Sequence, residues 1–398
     1  MAHKRIGILT GGGDVPGLNS VIKGVVYRAS EIGADVMGIR GGWKGLTHAQ
    51  CVDGTDPNLK LEPQVTILPL DRQNTRTIDR TGGTVLHTSR TNPRKMQVAK
   101  LPPWLQSVAG RLKEVGPGIV DFTPVVLKNL EALKIDTLIA IGGDDTLSYA
   151  AVLDREGFPV VGVPKTMDND VRNTEYCIGF STAITRAVEA ISRQRTTVGS
   201  HERIGIFRVF GRDAGHTALY TAYVTSVRCC IPEYPVDLDR LLDLLVADKR
   251  SNPSNYALVI LSEGAMWEGG KLSEYGEPDA YGHRKKLSVA EMLSEEIGTR
   301  LGEETVVSDL TYDLRSGNPD FLDKLVATTF ANMAMDCIAD GVHGEMMAIR
   351  DGCYVDAEIP NPELGPRRVD VAEMYNVERY RPNYTGKNGM PIFLNRLT

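Results

Sequence analysis

Two adjacent carboxylates follow a continuous apolar run. The run Ile135–Ile141 is typical of a strand buried on both faces, and Gly142-Gly143-Asp144-Asp145 comes directly after it. Side by side at a strand end, two aspartates repel each other and disfavour a helix start unless a cation neutralises them. A magnesium ion that bridges a phosphate supplies that charge. The alternative, a helix-capping aspartate beside a solvated one, does not explain the two preceding glycines.

A second polar turn follows the next predicted strand, Pro159–Val163. Within Pro164–Asp170 the sequence sets Lys165 beside the carboxylate of Asp168. Three polar side chains in a short turn are also ordinary turn chemistry. At the mouth of a parallel sheet, however, this combination suits phosphoryl transfer. A carboxylate there accepts the proton of an attacking hydroxyl while cations neutralise the transferred group.

A glycine-rich loop, Gly11–Asn19, lies between the first predicted strand and the first predicted helix. Its glycines allow the main chain to approach a ligand, and the helix N-terminus offers free N–H groups to an anion. The spacing matches neither the Walker motif nor the usual dinucleotide motif. A tight structural turn remains an equal alternative for this loop.

Three further predicted strands end in polar groups. Taken singly, each such group is typical of a salt bridge or a helix cap, and only their recurrence at successive strand ends favours a ligand site. The segments are Phe210-Gly211-Arg212, Ser262-Glu263-Gly264 and Tyr312-Asp313-Leu314-Arg315-Ser316-Gly317.

Short β-branched runs alternate with helix-period segments such as Asn19–Ile32, which predicts parallel sheets in an α/β fold. In such sheets, ligands bind beyond the carboxyl ends of the strands. The remaining predicted strands are Arg5–Leu9, Arg203–Val209, Tyr256–Leu261 and Val306–Leu310.

Other signals concern helix starts and irregular segments. Thr123-Pro124 predicts a capped helix start, and Ser181 is a second candidate cap. The proline-bearing segments Asp53–Pro69 and Lys100–Thr123 are interpreted as irregular excursions from the sheet. The tail from residue 351 shows little periodicity.

The bulk properties exclude several classes of protein. With 398 residues, the chain is long enough for two ordinary domains. The net charge of -6 argues against binding to nucleic acid or an anionic membrane, so an anionic substrate needs a local basic focus. No apolar stretch has membrane-spanning length, and the N-terminus leaves no room for a signal peptide. Six cysteines without a C-x-x-C pair argue against a zinc site and favour a cytoplasmic location.

Read together and in order, these loops resemble the phosphofructokinases over nearly the whole chain. The resemblance implies two Rossmann-like α/β domains with mainly parallel sheets and the active site in the cleft between them. It implies a donor domain, for pyrophosphate and magnesium, of residues 1–179 plus 315–375, and a sugar-phosphate domain of residues 180–314 plus 376–398. The implied reaction, part of glycolysis, phosphorylates the 1-hydroxyl of fructose 6-phosphate to give fructose 1,6-bisphosphate.

The resemblance also implies roles for individual residues. Asp168 is expected to be the general base, Asp144 the magnesium ligand, and Gly12 and Gly13 the glycines that approach the donor phosphates. Arg203 matches an arginine that, in many members, reaches the 6-phosphate from a neighbouring subunit. The other residues expected to contact the sugar phosphate are Thr166, Met167, Phe210, Gly211, Arg212, Glu263, Tyr312, Asp313, Leu314 and Arg315.

Two departures from the ATP-using members indicate a different phosphoryl donor. Those members have glycine where Asp145 stands and usually a small residue where Lys165 stands, and this chain resembles the pyrophosphate-dependent branch. A carboxylate about 4 Å from the α-phosphate of ATP, at an effective dielectric of about 20, repels it by about 4 kcal/mol. That energy corresponds to roughly a thousandfold in affinity. Lys165 is expected to stabilise the charge on pyrophosphate, and the reaction is expected to run readily in both directions.

A further departure concerns the contacts between subunits. Common bacterial members carry an arginine six positions before Tyr312, where this chain has Val306, and a histidine in place of Tyr312. We expect a homodimer or homotetramer.

Three alternatives to a pyrophosphate-dependent enzyme remain at this stage. The first is an ATP-dependent 6-phosphofructokinase that tolerates Asp145. An NAD or lipid kinase that shares only the glycine–aspartate turn leaves the Pro164–Asp170 loop unexplained. A catalytically silent sugar-phosphate-binding regulatory subunit has no chemical need for Asp168.

Overall fold

Two sheets form the framework of the molecule. The computed structural model describes residues 4–49, 67–267 and 288–394, together with the backbone of residues 274–275 and 285–286. Most of the predicted irregular segment 53–69 lies outside the described residues, and its end forms part of a strand.

The elements are numbered in chain order. The strands are β1 (Arg5–Thr10), β2 (Asp35–Ile39), β3 (Ile67–Leu70), β4 (Met96–Gln97), β5 (Glu114–Gly116), β6 (Ile119–Val120), β7 (Thr137–Gly142), β8 (Val160–Pro164), β9 (Ile204–Val209), β10 (Arg228–Cys230), β11 (Ala257–Ser262), β12 (Glu274–Tyr275), β13 (Lys285–Lys286), β14 (Thr305–Asp309), β15 (Glu345–Arg350), β16 (Cys353–Glu358), β17 (Tyr375–Asn376) and β18 (Arg381–Pro382). The α-helices are α1 (Leu18–Glu31), α2 (Trp43–Thr47), α3 (Pro103–Ala109), α4 (Thr123–Ala132), α5 (Asp144–Arg155), α6 (Phe180–Ser200), α7 (His216–Thr225), α8 (Leu238–Ser251), α9 (Val289–Leu301), α10 (Thr311–Leu314), α11 (Phe321–Asp340) and α12 (Val371–Met374).

The sheets are mainly parallel, which confirms the predicted α/β class. The seven-stranded sheet has the order β16-β15-β8-β7-β1-β2-β3, and only its edge strands β3 and β16 pair antiparallel. The four-stranded sheet, β10-β11-β9-β14, is parallel throughout. Every residue of β7 is buried, as a strand covered by helices on both faces requires. The six predicted strands all exist, with ends within two residues of those predicted.

The helix starts differ from those predicted, because carboxylates of other residues accept N–H groups at the start of each helix. Thr123 is the first residue of α4, Phe122 is the N-cap, and the carboxylate of Asp121 accepts the Thr123 N–H. Ser181 lies inside α6, whose N-cap is Gly179. The carboxylate of the buried Asp323, on α11, accepts the N–H groups of Gly179 and Thr182 at 2.7 and 2.8 Å. Both predicted caps were therefore wrong.

The segment Lys100–Thr123 is not irregular. It contains α3 and the antiparallel strands β5 and β6, and β6 also pairs with β4 in a small three-stranded sheet. Its own buried cluster includes Leu105 and Phe122. The strands are only two or three residues long, too short to show a period in the sequence.

The predicted division into two domains stays a prediction. Strands of the larger sheet come from residues 5–164 and 345–358, and those of the four-stranded sheet from residues 204–309. A single buried cluster includes apolar residues of both sheets, among them Ile139 and Ile206. Within the described residues, no helix is long and apolar enough to cross a membrane.

Candidate active site

The loops predicted to carry chemistry meet around one cleft. Loops after β1, β7 and β8 of the larger sheet face loops after β9, β11 and β14 of the smaller one across a cavity of about 490 Å³. Of the predicted site residues, those that line it are Gly12, Gly13, Asp144, Asp145, Lys165, Thr166, Met167, Asp168, Phe210, Arg212, Glu263 and Arg315.

Asp168 has the environment of a base. Its Oδ1 atom has no hydrogen-bond partner among the described residues, and its N–H is directed to Thr166 Oγ1 at 3.2 Å. Burial, with the carboxylates of Asp170 and Glu263, raises the pKa of Asp168 to about 7. A carboxylate of that pKa can take a proton near neutral pH.

Lys165 crosses from the end of β8 to the glycine-rich loop. Its buried ammonium donates to the carbonyl oxygen of Gly13 at 2.7 Å. Burial lowers the pKa of Lys165 to about 8. A Cβ on Gly12, where φ is +79°, would lie 3.1 Å from the Lys165 Nζ atom, so glycine leaves room for the ammonium. The Gly12 N–H already donates to Ser89 O at 2.9 Å.

Asp144 and Asp145 are the first two residues of α5. Carboxylates in a first turn interact favourably with the helix dipole, and the expectation that a cation neutralises this pair stays a prediction. Repulsion between them is nevertheless present. Burial, followed by the carboxylates of Asp170 and Asp145, raises the pKa of Asp144 to about 7. Asp145 is exposed at the cleft.

The charges around the cleft do not form the basic focus expected for an anionic substrate. Among the described residues, seven carboxylates line the cavity against four cationic side chains. A phosphorylated ligand therefore needs additional positive charge. The acidic residues are Asp14, Asp144, Asp145, Asp168, Asp170, Asp213 and Glu263, and the basic ones are Arg90, Lys165, Arg212 and Arg315.

The acidic end fits a magnesium ion. Within the described residues, no group of three or more His, Cys, Asp or Glu side chains is arranged to hold a metal by itself. Magnesium typically binds through one or two carboxylates, with water and substrate phosphates completing its shell. Asp144 and Asp170 are the carboxylates suited to that role, since after burial the charge of Asp170 is the largest influence that raises the pKa of Asp144.

The loop after β9 fits closely against the loop after β11. Gly211 has φ +125°, and its carbonyl oxygen accepts the Ser262 hydroxyl at 2.7 Å. Glu263 lies 3.5 Å from the Arg208 guanidinium and 4.0 Å from that of Arg212. Gly211 itself does not line the cavity, so its part is to shape the loop.

The segment after β14 contributes unevenly. The Arg315 guanidinium lies 4.6 Å from the centre of the Tyr312 ring and 3.7 Å from the carboxylate of Asp14. Tyr312 is 68% exposed and lies outside the cavity lining. Asp313 points to solvent, and Leu314 is fully buried in the core. Of the four predicted residues of this segment, Arg315 alone lines the cavity.

Arg203 is not part of this cleft. It stands just before β9, whereas Phe210 follows the carboxyl end of that strand, about 20 Å away at the usual rise per residue. Its side chain pairs with Glu304, with Nε and the carboxylate 2.7 Å apart. It cannot reach a ligand in the cleft of its own chain.

A model of the phosphofructokinase family matches residues 5–338. The chain belongs to the phosphofructokinase family. It is 37% identical over 372 residues to a pyrophosphate--fructose 6-phosphate 1-phosphotransferase of Streptomyces coelicolor, covering 92% of this chain and 97% of that protein. It is also 36% identical over 349 residues to ATP-dependent 6-phosphofructokinase 3 of the same organism, covering 87% and 91%.

Solved phosphofructokinases share the fold. The pyrophosphate-dependent phosphofructokinase from Marinobacter aquaeolei superposes with a TM-score of 0.73 at 16% identity, covering 99% of this chain and 92% of that one. The phosphofructokinase from Saccharomyces cerevisiae gives 0.69 at 22% identity over 90% of this chain, which spans 44% of that longer chain. The predicted phosphofructokinase fold is confirmed.

Several cleft residues of this phosphofructokinase were missed by sequence reasoning. Asp14 and Asp170 lie within loops that were singled out, so their polar character was a usable signal. Arg90 follows no predicted strand. Pro362, Gly365 and Pro366 come from the tail, which has no periodicity that would place it at the cleft.

Proposed function

We propose that this chain is a magnesium-dependent pyrophosphate--fructose 6-phosphate 1-phosphotransferase that works in both directions. The observation that carries the proposal is Asp145, a carboxylate at the cleft on the first turn of α5, with the buried Lys165 facing the same space. The names of the relatives support the reaction but divide over the donor, since both pyrophosphate-dependent and ATP-dependent enzymes are among them. The residues must therefore decide the donor.

On the acceptor side, Asp168 takes the proton of the sugar 1-hydroxyl. The resulting oxygen attacks the terminal phosphorus of pyrophosphate, and the bond to the other phosphate breaks, releasing inorganic phosphate. The sugar phosphate is held by Thr166, Met167, Phe210, Arg212, Glu263 and Arg315. Gly211 shapes the loop that carries Phe210 and Arg212, and Arg203 contributes from a neighbouring subunit.

On the donor side, Lys165 neutralises charge on the pyrophosphate, and Asp144 with Asp170 would hold the magnesium ion. That ion, when bound, supplies positive charge that offsets both the phosphates and the surplus of carboxylates. Gly12 approaches the donor by its Cα atom, because its N–H is already used.

Because Asp145 is exposed, solvent screens its repulsion of the α-phosphate of ATP. At about 4 Å, two unit charges repel by about 4 kcal/mol at a dielectric of about 20, but by only about 1 kcal/mol in bulk water. An exposed carboxylate lies between these limits, so charge alone disfavours ATP by between about fivefold and a thousandfold. The volume of the side chain adds to this effect.

The proposed setting is the cytoplasm, with homodimers or homotetramers as the active form. The described cysteines are all free thiols, which suits a reducing compartment. If Arg203 contacts the sugar phosphate, as the family resemblance implies, it does so from a neighbouring subunit, because its side chain pairs with Glu304 outside its own cleft.

The test is a comparison of initial rates with pyrophosphate and with ATP, at saturating fructose 6-phosphate, with and without magnesium. We expect turnover with pyrophosphate and magnesium and a much lower rate with ATP. Asp168→Ser provides the matched control, with turnover reduced by ~10²–10⁴ and sugar-phosphate binding nearly unchanged. A clear preference for ATP would overturn the proposed donor and favour the ATP-dependent enzyme. No turnover with either donor would favour a silent regulatory subunit.

A further inference from the structure

The C-terminal tail forms a strap over the back of the catalytic loop. The strap is defined as residues 361–369, which follow β16 and include a short 3₁₀ helix, Pro362–Leu364. The guanidinium of Arg172 donates to the carbonyl oxygens of Gly365 and Leu364 at 2.8 and 3.0 Å. The strap therefore lies directly against residues 169–175, the continuation of the loop that carries Asp168.

Arg367 is the strap residue that reaches furthest inward. Its side chain is 7% exposed, and its Nη2 atom donates to the carbonyl oxygens of Asn169 and Glu175. Its main-chain N–H donates to the carbonyl oxygen of Asp170 at 2.6 Å. One residue thus binds the carbonyl oxygens of both residues that follow Asp168, Asn169 and Asp170.

The peptide that Arg367 holds is the one that needs support. Asn169 is 1% exposed and has φ +53°, a left-handed conformation that costs a non-glycine residue free energy unless its surroundings fix it. Its side chain is committed in both directions, donating to Glu175 O at 3.0 Å and accepting the Cys177 N–H at 2.8 Å. The direction in which Asp168 points depends on this neighbouring turn.

The strap also connects this loop to the sugar-binding side of the cleft. The Val369 N–H and the Gly215 N–H both donate to Glu233 Oε1, at 2.9 Å each. Gly215 is the N-cap of α7 and follows the Phe210–Arg212 loop. Two residues after Arg367, the chain is therefore fixed to the element that holds the acceptor.

A purely structural role does not explain a charged group at this position. Among the described residues, Nε and Nη1 of Arg367 have no hydrogen-bond partner. An apolar side chain of similar volume commonly stabilises a fold at least as well as a buried charge does. The nearby carboxylates of Asp170 and Glu175 interact favourably with the guanidinium. The positive charge of Arg367 therefore offsets part of the negative charge next to the cleft.

We propose that Arg367 is a positioning residue for phosphoryl transfer, whose guanidinium fixes the Asn169–Asp170 turn and thereby aims the Asp168 carboxylate at the acceptor hydroxyl. This inference rests on the proposed role of Asp168. A base displaced by about 1 Å costs roughly a hundredfold in rate, because the reacting atoms no longer meet. Substrate binding also draws on the loops after β9, β11 and β14, so it is expected to change much less than kcat.

The test compares Arg367→Ala and Arg367→Lys with Arg368→Ala, a matched control because Arg368 is the adjacent arginine and is exposed. We expect kcat of R367A to fall by about a hundredfold, with KM for both substrates within about twofold of the wild type. The kcat of R367K should lie between those of R367A and the wild type, because lysine keeps the positive charge but lacks the planar set of N–H donors of a guanidinium. R368A should match the wild type.

Rescue separates positioning from a general loss of structure. Added guanidinium ion, at millimolar concentrations, should raise kcat of R367A in a saturable manner and leave D168S inactive. The inference is overturned if R367A keeps its kcat, or if it loses kcat and substrate affinity together, melts at a lower temperature and gains nothing from guanidinium. The wild-type rate with each donor, measured in the same assay, separates failure of this inference from failure of the proposed function. All variants are run with whichever donor the wild type uses.

Discussion

At the scale of single residues, the cleft contains a carboxylate with a raised pKa and an ammonium with a lowered pKa, both close to neutral pH. Burial and neighbouring carboxylates raise the pKa of Asp168 to about 7, and burial lowers the pKa of Lys165 to about 8. The proposed reaction needs the Asp168 carboxylate ionised and the Lys165 ammonium protonated. Both conditions hold together only in a narrow range of pH.

We therefore predict a bell-shaped dependence of kcat/KM on pH, measured with fructose 6-phosphate as the varied substrate. The rate should be lost as pH falls through about 7, where Asp168 gains a proton, and as pH rises through about 8, where Lys165 loses one. Glu263→Gln removes a carboxylate that raises the pKa of Asp168, so its acid limb should move to lower pH. The substrates titrate identically in assays of the wild type and of E263Q, so a difference between the two pH profiles comes from the protein. An unmoved acid limb in E263Q would mean that Asp168 does not set it.

At the scale of elements, two loops from neighbouring strands fit together only because one residue lacks a side chain. A Cβ on Gly211 would stand 2.5 Å from Ala214 O and 2.3 Å from Ser262 Oγ, and its φ of +125° is strained for any other residue. The Phe210–Arg212 loop, on the sugar side, is shaped by this contact.

Gly211→Ala should displace that loop and raise KM for fructose 6-phosphate, while lowering the free energy of unfolding by more than about 1 kcal/mol. Steady-state kinetics and denaturant unfolding measure the two effects. The matched control is Gly298→Ala within α9, where an added Cβ has nothing within 4 Å and helix propensity favours alanine. An unchanged KM in G211A would show that the loop does not hold the sugar phosphate.

Strands and the loops after them are the elements that the sequence could predict. The strands β1, β7, β8, β9, β11 and β14 have strong apolar signals, and the loops after them carry glycines and charges, so both the α/β class and most of the cleft were predictable. The capping of α6 by Asp323 was not, because the two lie 141 residues or more apart. The position of the tail at the cleft was not predictable either, because the tail contacts main-chain groups that are distant in the sequence.

At the scale of the whole molecule, the cleft of one chain lacks the Arg203 side chain that the family resemblance assigns to the sugar phosphate. Arg203 lies at the opposite end of β9 from the cleft. We therefore propose that a complete site requires a second copy of the chain, with Arg203 supplied across the interface.

This arrangement predicts complementation between two defective chains. Arg203→Ser should raise KM for fructose 6-phosphate strongly, and Asp168→Ser should lower turnover by ~10²–10⁴. In a co-expressed hybrid, one cleft contains an intact Asp168 and receives an intact Arg203 from the other chain. Purified hybrids should therefore exceed the summed activities of the two parents at low fructose 6-phosphate. Activity equal to that sum would show that Arg203 does not act across subunits.

The most direct measurement of the central claim is the ratio of kcat/KM for pyrophosphate to kcat/KM for ATP, in the wild type and in Asp145→Gly. If Asp145 selects the donor, the wild type should favour pyrophosphate. In the variant the ratio should fall by between about fivefold and a thousandfold, the range set by the screening of an exposed carboxylate. A ratio that favours ATP in the wild type, or one that D145G leaves unchanged, would contradict the account.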